Sequence, residues 1–191
     1  MMKRILLILT LITLIFACKK EDSQPNNNPI IGCTDTLATN YNPEATVDDG
    51  LCEYAPSVLK LSSITINAMP MTNNGDTWDW DITGLTSDPD VFYVLKQGGA
   101  DIASSSSQDN ISVFPILFTE NLPYTINNLS QEYTIELYDN DQIAGLGGNE
   151  LIGSCSFTPN DHIPTGGNEY PTEINIQGAG IDMTLAIEWL P

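Results

Sequence analysis

The chain has 191 residues, of which 41% are hydrophobic and 16% charged, enough to bury one ordinary core beside smaller segments. Its 25 acidic residues face six basic ones, a formal net charge of −19. A surface of that sign repels phosphate backbones, so nucleic acid is excluded as a partner.

In chain order, the first element is a leader. "MMKR" is a basic start, and residues 5–16, "ILLILTLITLIF", form an apolar run shorter than the roughly 20 residues a membrane-spanning helix needs. The pattern is that of a signal peptide covering residues 1–17, to be left out of the fold. The following "IFAC" resembles the lipobox of bacterial lipoproteins, with isoleucine where leucine is commonest. That resemblance implies cleavage before Cys18, acylation of Cys18, and attachment to a membrane surface through its acyl chains.

Residues 18–30 continue as "CKKEDSQPNNNPI". With few apolar side chains to bury, this stretch reads as a flexible tether. "KKED" also resembles the charged export tag of some Gram-negative lipoproteins, which implies an outer-membrane lipoprotein displayed on the cell surface.

Residues 31–54 carry a short acidic unit bracketed by Cys33 and Cys52. A unit this small cannot hold a core of its own, so in an oxidising compartment these cysteines are expected to pair. Its pattern of GCTD, NYNP, DDG and C resembles an acidic repeat of secreted bacterial proteins, present here in one copy. Its acids are read as solvated turn residues, with calcium binding through Asp35, Asp48, Asp49 and Glu53 the alternative. Cys155 is read as a small core residue, on the same strand face as Leu151 and Phe157.

From residue 57 onward the hydrophobic period is two. "VLKLSSITINAM" alternates and slips phase at Ser62 and Ser63, which suggests a bulge. "DVFYVLK", "ISVFPILF", "EYTIELYD", "ELIGSCSF", "PTEINIQ" and "DMTLAIEWL" give further short runs separated by Gly, Asn, Ser and Pro. The polar stretch "ADIASSSSQDN", residues 100–110, reads as a loop. Six or more strands and no sustained helical stripe predict an all-β antiparallel sandwich over residues 57–191.

Acids cluster at the strand ends. "YTIELYDND" ends a strand on Asp139 and Asp141, Glu150 opens the next, and "SDPDVFYVL" puts Asp88 and Asp90 before another. Carboxylates gathered at one rim would repel by roughly 4 kcal/mol per pair at 4 Å and an effective dielectric of 20, and a bound dication relieves this. Calcium suits the oxygen-only donor set, since zinc would want His or Cys and magnesium a stricter octahedron.

Asp139, Asp141, Glu150 and Gly153, with "SDPDVFYVL" upstream, also resemble the C2 domain, the calcium-binding β-sandwich of synaptotagmin and protein kinase C type proteins. The resemblance covers residues 57–191 and implies an eight-stranded antiparallel sandwich. It also implies a first calcium loop in "AMPMTNNGDTWDWD". The implied ligands are Asp139, Asp141 and Glu150, with Asp79 or Asp81 and Asp88 or Asp90 from the first loop. Glu150 stands where the family has aspartate, and the interval from Asp139 to Glu150 is longer than usual. Met69, Met71, Trp78, Trp80, Ile143 and Leu146 fall in these loops, either as a contact surface or packed beneath them.

Catalysis finds no frame: there is one histidine, His162, and no Gly-x-Ser-x-Gly elbow, while "GLGG" lacks the lysine and helix of a phosphate loop. The expected function is thus a non-catalytic, calcium-binding recognition or adhesion module of the cell envelope, holding a protein, glycan or lipid. The alternative is a metal-free structural or assembly subunit of the outer membrane, with a hydrolase a distant third.

Overall fold

The computed structural model describes residues 28–78, 88–141, 148–165 and 169–191. The signal peptide, Cys18 and most of the tether lie outside the described residues, as do Asp79, Asp81, Trp80, Ile143 and Leu146. The chain divides into two compact units, Met1–Glu53 and Tyr54–Pro191.

In the first unit a disulfide joins Cys33 to Cys52. Among its described residues the buried apolar side chains are Cys33 and Ala38, while Leu37, Leu51 and Ile31 are exposed, so the crosslink stands in for a core. The acids shape turns. Oδ1 of Asp35, Asp48 and Asp49 accepts from the backbone N–H of Leu37, Gly50 and Leu51 respectively, each two residues ahead. These are Asx turns, in which the side chain stands in for a backbone carbonyl.

The second unit is a β-sandwich. Its strands are β1 (Val58–Ala68), β2 (Val91–Gln97), β3 (Ala100–Ser104), β4 (Ile116–Phe118), β5 (Tyr124–Ile126), β6 (Tyr133–Asp139), β7 (Glu150–Phe157), β8 (Glu173–Gly178) and β9 (Ile181–Leu190). One sheet runs β4-β1-β9-β8 with β5 also on β1, and the other runs β3-β2-β6-β7; every pairing is antiparallel. The one helical segment among the described residues is the 3-10 turn Pro159–His162.

The alternation seen in the sequence sets the inward faces. Leu59, Leu61, Ile64 and Ile66 of β1 meet Tyr93 and Leu95 of β2, Ile135 and Leu137 of β6, and Met183 and Leu185 of β9 in one buried cluster. In β1 the register against β9 shifts between Leu61 and Ser63, the place where the alternation slips.

Three details differ from the sequence reading. Residues 100–104 of the expected polar loop form β3, an edge strand paired with β2 through backbone groups. The run "ISVFPILF" supplies only the three residues of β4, and β5 follows along the same edge of β1, giving nine strands for eight. Counted as one interrupted strand, β4 and β5 restore the expected number. Finally, Leu151 is 53% exposed and does not share the inward face of Cys155 and Phe157. Between Leu137 and Tyr138 the register of β6 on β7 slips by one residue, so Leu137 faces Gly153 and Tyr138 faces Leu151. A one-residue bulge reverses the phase of everything before it.

Gly153 marks the place where β7 passes close to the β8–β9 turn. A Cβ there would lie 2.9 Å from Cδ1 of Ile181 and 3.1 Å from Cβ of Ala179, closer than packed atoms tolerate. The glycine that the C2 resemblance singles out thus has a packing role in this chain.

Candidate functional site

Three chain segments end on one rim of the four-stranded sheet. Asp139 closes β6 and is paired in register with Val91, the first residue of β2, and with Glu150, the first of β7. Because Asp139 continues the phase of Ile135 and Leu137, its side chain turns inward. It is fully buried, the one charged residue among the described residues to be so.

Its two oxygens have different fates. Oδ1 accepts the backbone N–H of Asp90 at 2.7 Å, while Oδ2 is buried with no hydrogen-bond partner. A buried anion with half its acceptor capacity unused is energetically costly. Burial, opposed by the backbone N–H groups of Asp90 and Asn140 and reinforced by the charges of Asp141 and Asp90, pushes the Asp139 carboxyl up to about 6.

Asp90 holds the rim together. Its Oδ1 accepts the backbone N–H of Asn110 at 2.7 Å, and its carbonyl accepts the N–H of Asn140 at 2.9 Å. One aspartate therefore ties the entry to β2 both to the segment after β3 and to the exit from β6. Asp141, partly exposed, stands two residues beyond Asp139, near enough to act on its charge. Asp88, also partly exposed, precedes Asp90 on the same approach.

Glu150 is exposed, and its Oε2 accepts from Nδ2 of Asn73 at 3.1 Å. Asn73 and Asp76 exchange two backbone hydrogen bonds around Asn74 and Gly75, both with positive φ. This is a tight two-residue turn of the kind that Asn-Gly favours. The "NNGD" signature in the sequence marks that turn, but nothing local announces its tie to Glu150.

The structure thus brings Asp90, Asp139 and Asp141 into one electrostatic neighbourhood and sets Glu150 across from Asp139. Among the described residues, however, no three acidic, histidine or cysteine side chains converge closely enough to hold a metal as they stand. Asp79 and Asp81 lie outside the described residues.

The described apolar residues of the first loop pack inward. Met69 and Trp78 are buried, Met71 packs against the core, and the Trp78 indole N–H donates to the carbonyl of Pro70 at 2.9 Å. For these three described residues, of the two readings, the structure takes packing against the core.

No known family model matches the chain, and no curated protein does. Among solved structures, the sandwich is similar to C2 domains. One, described as the structure of a C2 domain, is 16% identical with a TM-score of 0.43, covering 69% of this chain and 96% of that one. Another holds the paired C2 domains, A and B, of Extended-Synaptotagmin 2, calcium bound, at 17% identity and a TM-score of 0.45, covering 71% of this chain and 46% of that one. This chain therefore spans about half its length. A third is the first of the C2 domains, domain A, of plant Extended Synaptotagmin 1, at 13% identity and a TM-score of 0.39, covering 72% of this chain and 97% of that one.

Proposed function

We propose that the chain is a non-catalytic recognition module whose carboxylate rim takes up calcium, tethered to the outer membrane of a Gram-negative cell through acylated Cys18. The observation that carries this reading is Oδ2 of Asp139, a buried carboxylate oxygen without a partner, flanked by the charges of Asp90 and Asp141. Such an arrangement opposes folding unless a cation offsets it, which is characteristic of a site built for binding.

Asp139, Asp141 and Asp90 would hold the ion, with Asp88, Glu150 and one of Asp79 and Asp81 as further oxygen donors. Calcium would supply positive charge at the rim and draw separate loops toward one point. For an envelope protein, an affinity of about 10⁻⁴–10⁻³ M suffices. The partner at the loops is a protein or glycan sooner than a lipid. Met69 and Trp78 are not free to insert, and the two lysines of the sandwich, Lys60 and Lys96, are both taken up in ion pairs.

A second reading, a metal-free assembly subunit, draws support from Asp90 and Glu150, whose carboxylates already serve as struts to Asn110 and Asn73. A melting experiment on protein lacking only residues 1–18 separates the two. With 10 mM calcium the calcium reading expects a rise in Tm of about 5 °C or more, reversed by chelator and absent in the variant carrying Asp139→Asn and Asp141→Asn. No rise in the parent protein would leave the scaffold reading.

A further inference from the structure

Sandwich sheets with one packed face normally turn polar residues to water on the other. The outer face of the β3-β2-β6-β7 sheet breaks this rule. Phe92 and Tyr138, paired in register on β2 and β6, stack there with ring centroids 5.4 Å apart and planes within 18°. Beside them Val94 is only 8% exposed, although Phe92, Val94 and Lys96 form the outward phase of β2. Together with Asp101, Ser104 and Asn149 these side chains line an open groove of about 410 Å³. That lies in the roughly 300–1,000 Å³ range of small-ligand sites.

The charges around the groove narrow the choice of ligand. Lys96 bonds Glu136 at 2.9 Å and Asp101 at 3.3 Å, and the Tyr138 hydroxyl donates to Glu136. The place for a cation is thus filled from within the chain. Asp101 and Glu136 repel phosphate and other anions. What is left for a ligand is an aromatic and aliphatic floor edged by a carboxylate, a hydroxyl and an amide. These groups pair with adjacent hydroxyls, while the rings cover an array of C–H bonds.

We infer that this groove is a carbohydrate-binding site for a neutral polysaccharide, with a sugar ring packed on the stacked Phe92–Tyr138 pair and its hydroxyls bonded to Asp101, Ser104 and Asn149. The groove is open to solvent, so it takes a segment of a chain and does not enclose a free sugar. It is separate from the carboxylate rim: Tyr138 and Asp139 are neighbours in sequence but point to opposite faces of β6.

Native gels cast with a neutral β-glucan, an α-mannan or a galactan test this, run once in calcium and once in chelator on protein lacking only residues 1–18. Retardation by at least one of the three polymers is expected, equal in both buffers. Phe92→Ala should weaken it about tenfold, Phe92→Tyr should keep it, and Asn149→Ala, at an exposed position, should weaken it without touching the fold. If Phe92→Ala does not melt like the parent protein, Asn149→Ala decides. The inference is overturned if none of the three polymers retards the protein, or if a folded Phe92→Ala protein is retarded like the parent. Retardation that vanishes in chelator would assign the sugar to the rim.

Discussion

The backbone N–H of Asp90 is bonded at 2.7 Å to Oδ1 of Asp139, a residue 49 positions away, and this bond fixes how the β2 and β6 ends meet. It also orients the carboxylate so that Oδ2 is left buried without a partner. A side chain held in this way is poorly solvated as an anion, and its protonation state becomes part of the fold's stability.

The first prediction concerns pH. The carboxyl of Asp139 is raised from an ordinary 3.8 to about 6, so between these values the folded protein binds more protons than the unfolded chain. Stability from this group is therefore fully present below about pH 4 and is lost as pH rises through 6, on the order of 2–3 kcal/mol in all. With chelator present, melting curves from pH 4 to 7.5 should show the parent protein losing ground against Asp139→Asn across that window. Parallel curves for the two proteins would contradict it.

A second outcome is expected at a single pH. At pH 7 in chelator, Asp139→Asn removes a buried charge and keeps an oxygen for the Asp90 N–H, so it should stabilise the domain by about 1–2 kcal/mol. Urea titration measures this. A substitution that stabilises the protein while abolishing its response to calcium marks a residue retained for binding. Destabilisation by asparagine would instead make Asp139 a structural strut.

Much of this architecture is legible in the sequence, and the exceptions have physical causes. β1, β2, β6, β7, β8 and β9 show themselves through alternation, and the inward turn of Asp139 follows from its phase with Ile135 and Leu137. β3 is hidden because an edge strand of Ala100 to Ser104 pairs through its backbone and offers few large apolar side chains to count. The outward turn of Leu151 depends on a bulge, and a bulge is set by the partner strand. The orphaned oxygen of Asp139 depends on a donor 49 residues away, which no local pattern announces. The groove around Phe92 and Tyr138 escapes a linear reading because outward residues of adjacent strands become neighbours only in register.

A third prediction uses the free thiol. Cys155 is 2% exposed, and burial, helped by the Asp182 charge, raises its pKa. Both effects suppress the thiolate. A thiol reagent at pH 8 should leave Cys155 unmodified in folded protein for hours and label it within minutes in denaturant. Rapid labelling under native conditions would show that the β7 edge opens.

A fourth concerns the disulfide-linked unit. Cys33 and Cys52 close a loop with a sequence separation of 19, and chain-entropy arguments give such a crosslink on the order of 3 kcal/mol. With few buried side chains among its described residues, the unit is otherwise held by exposed hydrogen bonds such as those of Asn40 to Leu51 and Glu53. Replacing both cysteines by serine should make it sensitive to protease within minutes, while the sandwich, with its own core, keeps its melting temperature. Limited proteolysis followed by mass spectrometry reads both results at once, and a shared loss of stability would mean that the two units fold together.

The last prediction tests how tightly the two sheets approach at the β7 edge. Gly178, at the end of β8, has no room for a side chain: a Cβ there would lie 2.8 Å from the carbonyl oxygen of Ser154, a backbone atom that cannot rotate away. Ala at this position must push β8 and β7 apart, and overpacking of this kind costs about 1–3 kcal/mol. At Gly75, where φ is +100° and nothing lies within 4 Å of the added atom, the cost comes from the backbone alone, about 1 kcal/mol. Gly178→Ala should therefore lower Tm more than Gly75→Ala, and it should also speed thiol labelling of Cys155, whose Sγ lies 3.7 Å from the Gly178 carbonyl. Equal shifts in Tm with unchanged labelling would mean that the edge yields without strain.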